Sequence, residues 1–87
     1  MTAKEIFEEL GYKQELEYYN GKVTRIKYVV VGNYHTQFMF DMNNKMFYSY
    51  FERDDKEEMP AWVEMKHLKA INKQVEELRW NNINESI

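Results

Sequence analysis

The stretch from residue 12 to residue 52 limits the fold of this chain more than any other part of the sequence. It is dense in Tyr, Val, Ile, Phe and Thr, and turn signals interrupt it at Asn20-Gly21, Gly32-Asn33 and Asn43-Asn44. This spacing predicts four strands, near residues 13–19, 22–31, 34–42 and 45–52. Because the connections between them are short, we expect an antiparallel meander.

The turn at Asn20-Gly21 decides which side chains of the first two strands share a face. A two-residue turn would put Leu16 and Tyr18 on the face opposite Ile26. A three-residue loop that adds Tyr19, with Gly21 in a bulge, brings all three apolar residues to one face. We therefore favour the three-residue loop, because it gives the sheet a single apolar face.

The same reasoning sets the other two turns. A three-residue loop at 31–33 aligns Val30 with Tyr34, and hence Ile26 with Phe38. A two-residue Asn43-Asn44 turn sets Phe40 opposite Phe47. The sheet then has an apolar front face, made of Leu16, Tyr18, Ile26, Tyr28, Val30, Phe38, Phe40, Phe47 and Phe51. Its back face is mixed, and contains Glu15, Glu17, Arg25, Lys27, His35, Gln37, Met39, Asp41, Met46, Tyr48 and Tyr50.

A short helix is predicted before the sheet, within residues 1–11. Thr2 and Glu5 have the spacing of a capping box, and Gly11 follows where a left-handed C-terminal cap favours glycine. Between them, an apolar stripe repeats at helical spacing, consisting of Ala3, Ile6, Phe7 and Leu10.

A longer helix is predicted after the sheet, roughly over 64–80 and at most over 61–81. Its apolar positions recur every three or four residues, at Met65, Leu68, Ile71, Val75 and Leu78. Trp62 and Val63 either extend this helix back to Pro60 or form a short extended stretch before it. Residues 53–60 are predicted to be an acidic loop, and residues 82–87 a frayed tail.

These elements predict one small α+β domain with two layers. The chain has 87 residues, of which 16% are aromatic, and a chain of this size buries about 64% of its surface on folding. Because the sheet has one apolar face and both helices have an apolar stripe, we expect both helices on the front face, with the C-terminal helix as the main cover.

Composition excludes several kinds of active site. The chain has no Cys, only three Gly and only two His, so it has no thiolate site and no phosphate-binding glycine loop. We predict that His35 and His67 are surface histidines. We predict that the acidic cluster is a solvated loop, with members Asp54, Asp55, Glu57 and Glu58. No metal, cofactor or enzymatic activity is expected.

The sequence also predicts where the chain resides. Its start lacks the apolar region of a signal peptide, and no apolar run approaches the roughly 20 residues that span a bilayer. We therefore expect a soluble cytoplasmic protein that makes no contact with membranes.

The back face supplies the candidate site, a contact surface made of Arg25, Lys27, Gln37, Met39, Tyr48 and Tyr50. Tyr, Met and Arg are enriched at protein interfaces, so another protein or a second copy of the chain could bind there. Bases beside aromatics also resemble a platform for single-stranded nucleic acid, although the net charge of -3 disfavours nucleic acid. An acidic inhibitor that mimics nucleic acid is a weaker alternative. The simplest interpretation is ordinary cross-strand pairing of these side chains.

Two segments resemble a family of small uncharacterised phage and prophage proteins of Gram-positive bacteria. Residues 3–12 resemble the pattern A-x-E-x-F-x-x-L-G-Y, and residues 68–80 resemble L-x-A-I-N-x-Q-x-x-E-L-G-W, while the aromatic strands between them are similar more loosely. Arg79 replaces the glycine of the second pattern, which predicts a helix that continues past Leu78. The resemblance implies a phage origin and a location in the host cytoplasm. It favours an accessory protein that binds a host protein, a defence protein or another phage protein. It implies no activity, and no functional residue is carried over from it.

Overall fold

The computed structural model describes residues 1–32 and 35–80, and it forms one antiparallel sheet with a helix at each end. The sheet contains its strands in chain order, β1-β2-β3-β4-β5. The elements are α1 (Ala3–Glu9), β1 (Lys13–Tyr19), β2 (Lys22–Val29), β3 (Gln37–Asp41), β4 (Met46–Glu52), β5 (Glu58–Pro60) and α2 (Met65–Leu78). The predicted α+β class is confirmed, and a short fifth strand is added to it.

The fifth strand corrects the prediction of an acidic loop over 53–60. The guanidinium of Arg53 pairs with the carboxylate of Asp55 at 2.8 Å, and the Arg53 amide donates to the Glu57 carbonyl at 3.0 Å. These bonds close a tight turn over residues 53–57. The chain then returns beside β4, where Pro60 pairs with Tyr50. The charged composition obscured this strand, because its three residues lack a run of β-favouring side chains.

The first hairpin differs from its predicted geometry. Tyr19 pairs with Lys22, so the turn is the two-residue Asn20-Gly21 turn, and the predicted three-residue loop is wrong. Both turn residues have positive φ, 51° and 78°, as hairpin turns of this length require. A bulge lies further along, between Glu17 and Tyr18. The bulge adds one residue to one strand and so restores the predicted shared face.

Leu16 and Tyr18 share that front face but do not belong to the core. Leu16 lies opposite Ile26, as their common face requires. However, Leu16 is 38% exposed and Tyr18 is 63% exposed. The packed core includes Ile26 and residues of both helices, but it does not include Leu16 or Tyr18. Side-chain alternation therefore predicted their face correctly. Their burial depends on how much of the sheet the helices cover.

The turn between β2 and β3 is longer than predicted, whereas β3 and β4 pair in the predicted register. Ile26 pairs with Phe40, whereas the prediction aligned Ile26 with Phe38. A shift of two residues keeps every side chain on its face, so the front face is unchanged. The alignment of Val30 with Tyr34 cannot be compared, because Tyr34 lies outside the described residues. Phe40 pairs with Phe47, as predicted.

Both helices pack on the front face, which confirms the two-layer arrangement. The buried cluster consists of Ile6, Phe7, Ile26, Tyr28, Phe38, Phe40, Ala70 and Ile71. The ring of Phe7 stacks on that of Tyr28, with centroids 3.8 Å apart. The Tyr28 hydroxyl donates to Gln74 of α2 and accepts from Gln14 of β1, so the buried phenol is satisfied.

The ends of α1 are set by local chemistry, as predicted. Thr2 and Glu5 form a reciprocal capping box. At the other end Gly11 has φ +94°, and the Tyr12 amide donates to the Phe7 carbonyl at 3.0 Å. Together with the bond from the Gly11 amide to Glu8, this is a Schellman motif. It places Tyr12 against Phe7 at the edge of the core.

Helix α2 is shorter than predicted at both ends. Residues 61–64 are not helical. The Ala61 amide donates to the Ser49 carbonyl at 3.1 Å, and the Ser49 hydroxyl donates to the Ala61 carbonyl at 2.6 Å, so these bonds hold the chain beside β4 before the helix begins. Trp62 and Val63 therefore precede the helix. The helix ends at Leu78, and Arg79 is left-handed with φ 60°. The expectation that Arg79 lengthens the helix is wrong, since Arg79 adopts the left-handed conformation that glycine favours at helix ends.

Candidate protein-contact surface

The six predicted contact residues lie on the back face of the sheet, away from the helices. Strand pairing places Lys27 opposite Met39, and Met39 opposite Tyr48. Gln37 lies opposite Tyr50 in the next row. These residues alternate with Phe38, Phe40 and Phe47 of the core, so they belong to the opposite face.

Accessibility divides these six residues into two groups. Arg25 and Tyr48 are exposed, and Lys27 and Met39 are half-buried. Gln37 and Tyr50, in contrast, are only 7% and 9% exposed. These two side chains are therefore buried beneath the surface and offer little contact area to a partner.

A groove of about 470 Å³ lies beside the pair of Pro60 and Tyr50. Its lining includes residues whose register places them on the back face, namely Met39, Tyr48, Tyr50, Glu58 and Pro60. Phe47, Ser49 and Met59, which alternate with them along β4 and β5, complete the lining. We call this groove the back-face groove. The lining is mainly aromatic, thioether and proline, which is typical of a site that takes an apolar side chain.

The sequence did not reveal the β5 side of this groove. Glu58, Met59 and Pro60 were assigned to the acidic loop, and their only signal was a proline, which is confined to edge strands or bulges within sheets. Met46 was assigned to the back face but not to the contact surface. It is 46% exposed and accepts a hydrogen bond from the Tyr48 hydroxyl at 3.5 Å, so it extends the apolar rim of the groove.

The bases of the surface are already paired within the sheet. The carboxylate of Glu17 lies 2.7 Å from the Lys27 ammonium and 3.3 Å from the Arg25 guanidinium. The hydrogen bond from Lys27 lowers the pKa of Glu17, and the same bond raises the pKa of Lys27. The single carboxylate of Glu17 thus neutralises half of the positive charge of Lys27 and Arg25. Among the residues that line the groove, only Glu58 is charged.

Burial changes the chemistry of Tyr50. Desolvation raises the pKa of its phenol, and Lys27 opposes this effect only in part. Tyr50 therefore stays neutral at physiological pH and cannot act as a base. The groove offers contact area and hydrogen bonds, and no activated nucleophile lines it.

The two histidines have different environments. His35 is exposed, as predicted. His67 is only 3% exposed, so the prediction of a surface histidine is wrong for it. Its helix turns this position toward the sheet, where the ring packs edge-on against Phe38 at 5.0 Å and against Tyr12 at 5.6 Å. Neither flanking residue in the sequence indicated this burial.

The residues that the structure describes contain no metal-binding cluster and no membrane-spanning helix. Across 1–32 and 35–80, no three His, Asp or Glu side chains are grouped so that they could hold a metal ion. Neither helix in those ranges has the length and apolar character needed to cross a bilayer.

Comparisons with known proteins do not add a relative to this picture. No protein-family model, no curated protein and no solved structure matches the chain.

Proposed function

We propose that this chain acts by protein–protein binding, and that the back-face groove is its contact site. The observation that carries the proposal is the groove itself, an apolar depression on the one face of the sheet that no helix covers. Its lining includes Met39, Tyr48 and Pro60, and the exposed Met46 lies beside Tyr48. Tyr and Met at the centre with charged residues outside is the composition of an interface core and its rim.

The geometry favours a protein over nucleic acid. Binding to phosphates requires free Lys and Arg, whereas Lys27 and Arg25 both contact Glu17. An aromatic platform also needs exposed rings for bases to stack on, and Tyr50 is buried. An acidic inhibitor that mimics nucleic acid would need a distributed negative charge, and the groove has Glu58 alone among its charged lining residues.

The biological setting rests on the resemblance described above. We propose a phage accessory protein that works in the bacterial cytoplasm on a host or defence protein, with no cofactor and no catalytic role. A homodimer is a second form that the same contact could take, because one sheet face can pair with its copy across a two-fold axis. The two forms make different predictions for the mass in solution.

The test replaces two exposed apolar side chains, Tyr48→Ser in the groove and Met46→Ser beside it. Tyr50 is left intact because it is buried, and its replacement would mix stability with contact. We expect the double variant to stay folded and to lose at least one defined partner captured by the unchanged chain from bacterial lysate. If the contact is between copies, we expect a fall in mass by sedimentation equilibrium instead.

Met65→Ser serves as the matched control. Met65 is 80% exposed at the start of α2, so this variant removes a similar apolar side chain outside the groove. It should retain both partner capture and association state. The proposal is wrong if the double variant is folded and keeps both the mass and the captured partners of the unchanged chain.

A further inference from the structure

The two edges of the sheet are built differently. Strand β5 has three residues and ends in Pro60, which has no N–H to donate. Strand β1 has seven residues without proline, and within the described residues it pairs with β2 alone. A short edge with proline discourages further strands, whereas a long one retains unpaired backbone groups along its length. One edge is therefore blunted and the other is left open.

Large apolar side chains stand beside the open edge. Leu16 and Tyr18 lie on its front face, where they are 38% and 63% exposed, and Tyr19 at the end of the strand is 71% exposed. The buried core stops short of all three. A strand added at this edge would bring its own front-face side chains next to Leu16 and Tyr18, at the short distance of cross-strand pairs.

The charges of β1 select among possible strands. Glu17 on its back face is already paired with Lys27 and Arg25. Lys13 and Glu15 are both exposed on that back face, and neither makes an ion pair with the described residues. A segment that binds here therefore gains from a base opposite Glu15 alone, and not from bases along its whole length. A second copy of β1 is a poor occupant, because every antiparallel self-pairing that keeps the front faces together over most of the strand opposes Glu15 or Glu17 to a glutamate of the other copy. Like charges directly opposite each other destabilise a strand pair.

We infer that β1 accepts an extended protein segment that alternates apolar with polar residues, with a Lys or Arg facing Glu15, and adds a sixth strand to the sheet. Backbone hydrogen bonds to the open edge would hold the segment. Apolar side chains would cover Leu16 and Tyr18, and a Lys or Arg would face Glu15. This surface is separate from the back-face groove and does not depend on it.

The probe is a synthetic peptide of alternating Val and Thr with one Lys in the Thr position that faces Glu15, matched in length to β1 and blocked at both ends. We expect it to bind the full chain, with amide chemical-shift changes in NMR concentrated on residues 13–19. The same peptide with Glu in place of that Lys should bind roughly three- to ten-fold more weakly, since one opposed charge pair changes sign. Methylation of alternate peptide nitrogens should abolish binding, because the backbone donors are lost.

Two variants locate the site. Glu15→Gln should reduce the preference for Lys over Glu peptides without unfolding the chain, and Leu16→Ser with Tyr18→Ser should weaken binding of both peptides. The Met46→Ser, Tyr48→Ser variant should bind the peptide normally, which separates this inference from the proposed groove. The inference is overturned if the methylated peptide binds equally well, if shift changes lie elsewhere, or if Glu15→Gln keeps the full preference.

Discussion

At the scale of single residues, the hydrogen bonds of His67 determine which tautomer it adopts. The Tyr12 hydroxyl has one proton, which it donates to the Thr36 carbonyl at 2.7 Å. The contact at 3.2 Å between that hydroxyl and Nε2 of His67 must then be a bond that Nε2–H donates. Nδ1 is left unprotonated, and it is buried with no hydrogen-bond partner among the described residues.

This arrangement makes the neutral ring the stable form in the folded protein. A second proton on Nδ1 would create a buried N–H without an acceptor. Burial lowers the pKa of His67 below its ordinary value, neighbouring Lys66 lowers it further, and Glu64 opposes them. Burial also raises the pKa of Tyr12, so the phenol stays protonated as the bond to Thr36 requires. His35, Glu64 and Lys66 line the same small depression as these groups.

We predict that the free energy of unfolding falls as the solution is acidified through the pH range in which histidine titrates. The unfolded chain binds a proton near pH 6.5, while folded His67 does so only at lower pH. Its contribution is therefore complete above about pH 6.5 and is lost progressively as pH falls toward the folded pKa. Urea unfolding between pH 7.5 and 5.5 measures the loss.

Single substitutions assign this effect to His67. His67→Gln should flatten the pH dependence of the free energy of unfolding in this window, because the amide does not titrate. His35→Gln is the matched control, because it removes the other histidine, which is exposed. An unchanged slope in His67→Gln would show that other groups are responsible.

At the scale of elements, the two helix ends offer a direct comparison. Both α1 and α2 are followed by a left-handed residue, Gly11 with φ +94° and Arg79 with φ +60°. Glycine adopts this conformation without steric cost, whereas a residue with a Cβ atom is penalised by about 1–2 kcal/mol. The end of α2 is therefore strained, and the end of α1 is not.

We predict that Arg79→Gly stabilises the protein by about 0.5–1 kcal/mol, because relief of the strain exceeds the added flexibility of the unfolded chain. Gly11→Ala is the opposite change and should lower the free energy of unfolding by about 1 kcal/mol. A Cβ at Gly11 would have open space around it, so that cost reports backbone conformation alone. Thermal unfolding of both variants tests the pair, and a destabilising Arg79→Gly would contradict the explanation.

At the scale of the whole molecule, stability depends on one aromatic core shared by three strands and two helices. Phe40 is fully buried at its centre, with its ring 5.1 Å from that of Phe47 and 6.1 Å from that of Trp80. It therefore links β3 to β4 and to Trp80, just beyond the end of α2. Loss of its ring would leave a cavity that no single element can close.

We predict that Phe40→Ala lowers the free energy of unfolding by about 3–5 kcal/mol. That is a large share of the total, since domains are stable by only about 5–15 kcal/mol. Tyr48→Ala is the matched control, because it removes an aromatic ring from the neighbouring strand on the exposed face. It should cost much less. Equal losses in the two variants, measured by urea unfolding, would contradict the assignment of front and back faces.

The sequence by itself determined the features that depend on neighbours along the chain. The capping box of Thr2 and Glu5 and the left-handed Gly11 need only a few adjacent residues, so they could be predicted. Side-chain alternation likewise assigned Phe40 and Phe47 to the core face and Met39 and Tyr48 to the other. Alternation is a property of extended backbone, and neither a bulge nor a shift of two residues in register disturbed the face of these side chains.

Tertiary structure decided the features that depend on residues far apart in sequence. Strand β5 exists because the turn at residues 53–57 returns the chain to β4, and no local propensity predicts it. It adds Pro60 beside the buried Tyr50 and thereby makes the groove. His67 is buried because α2 packs on Tyr12 and Phe38. In each case the free energy comes from packing between elements, and a sequence pattern does not carry the distances on which that packing depends.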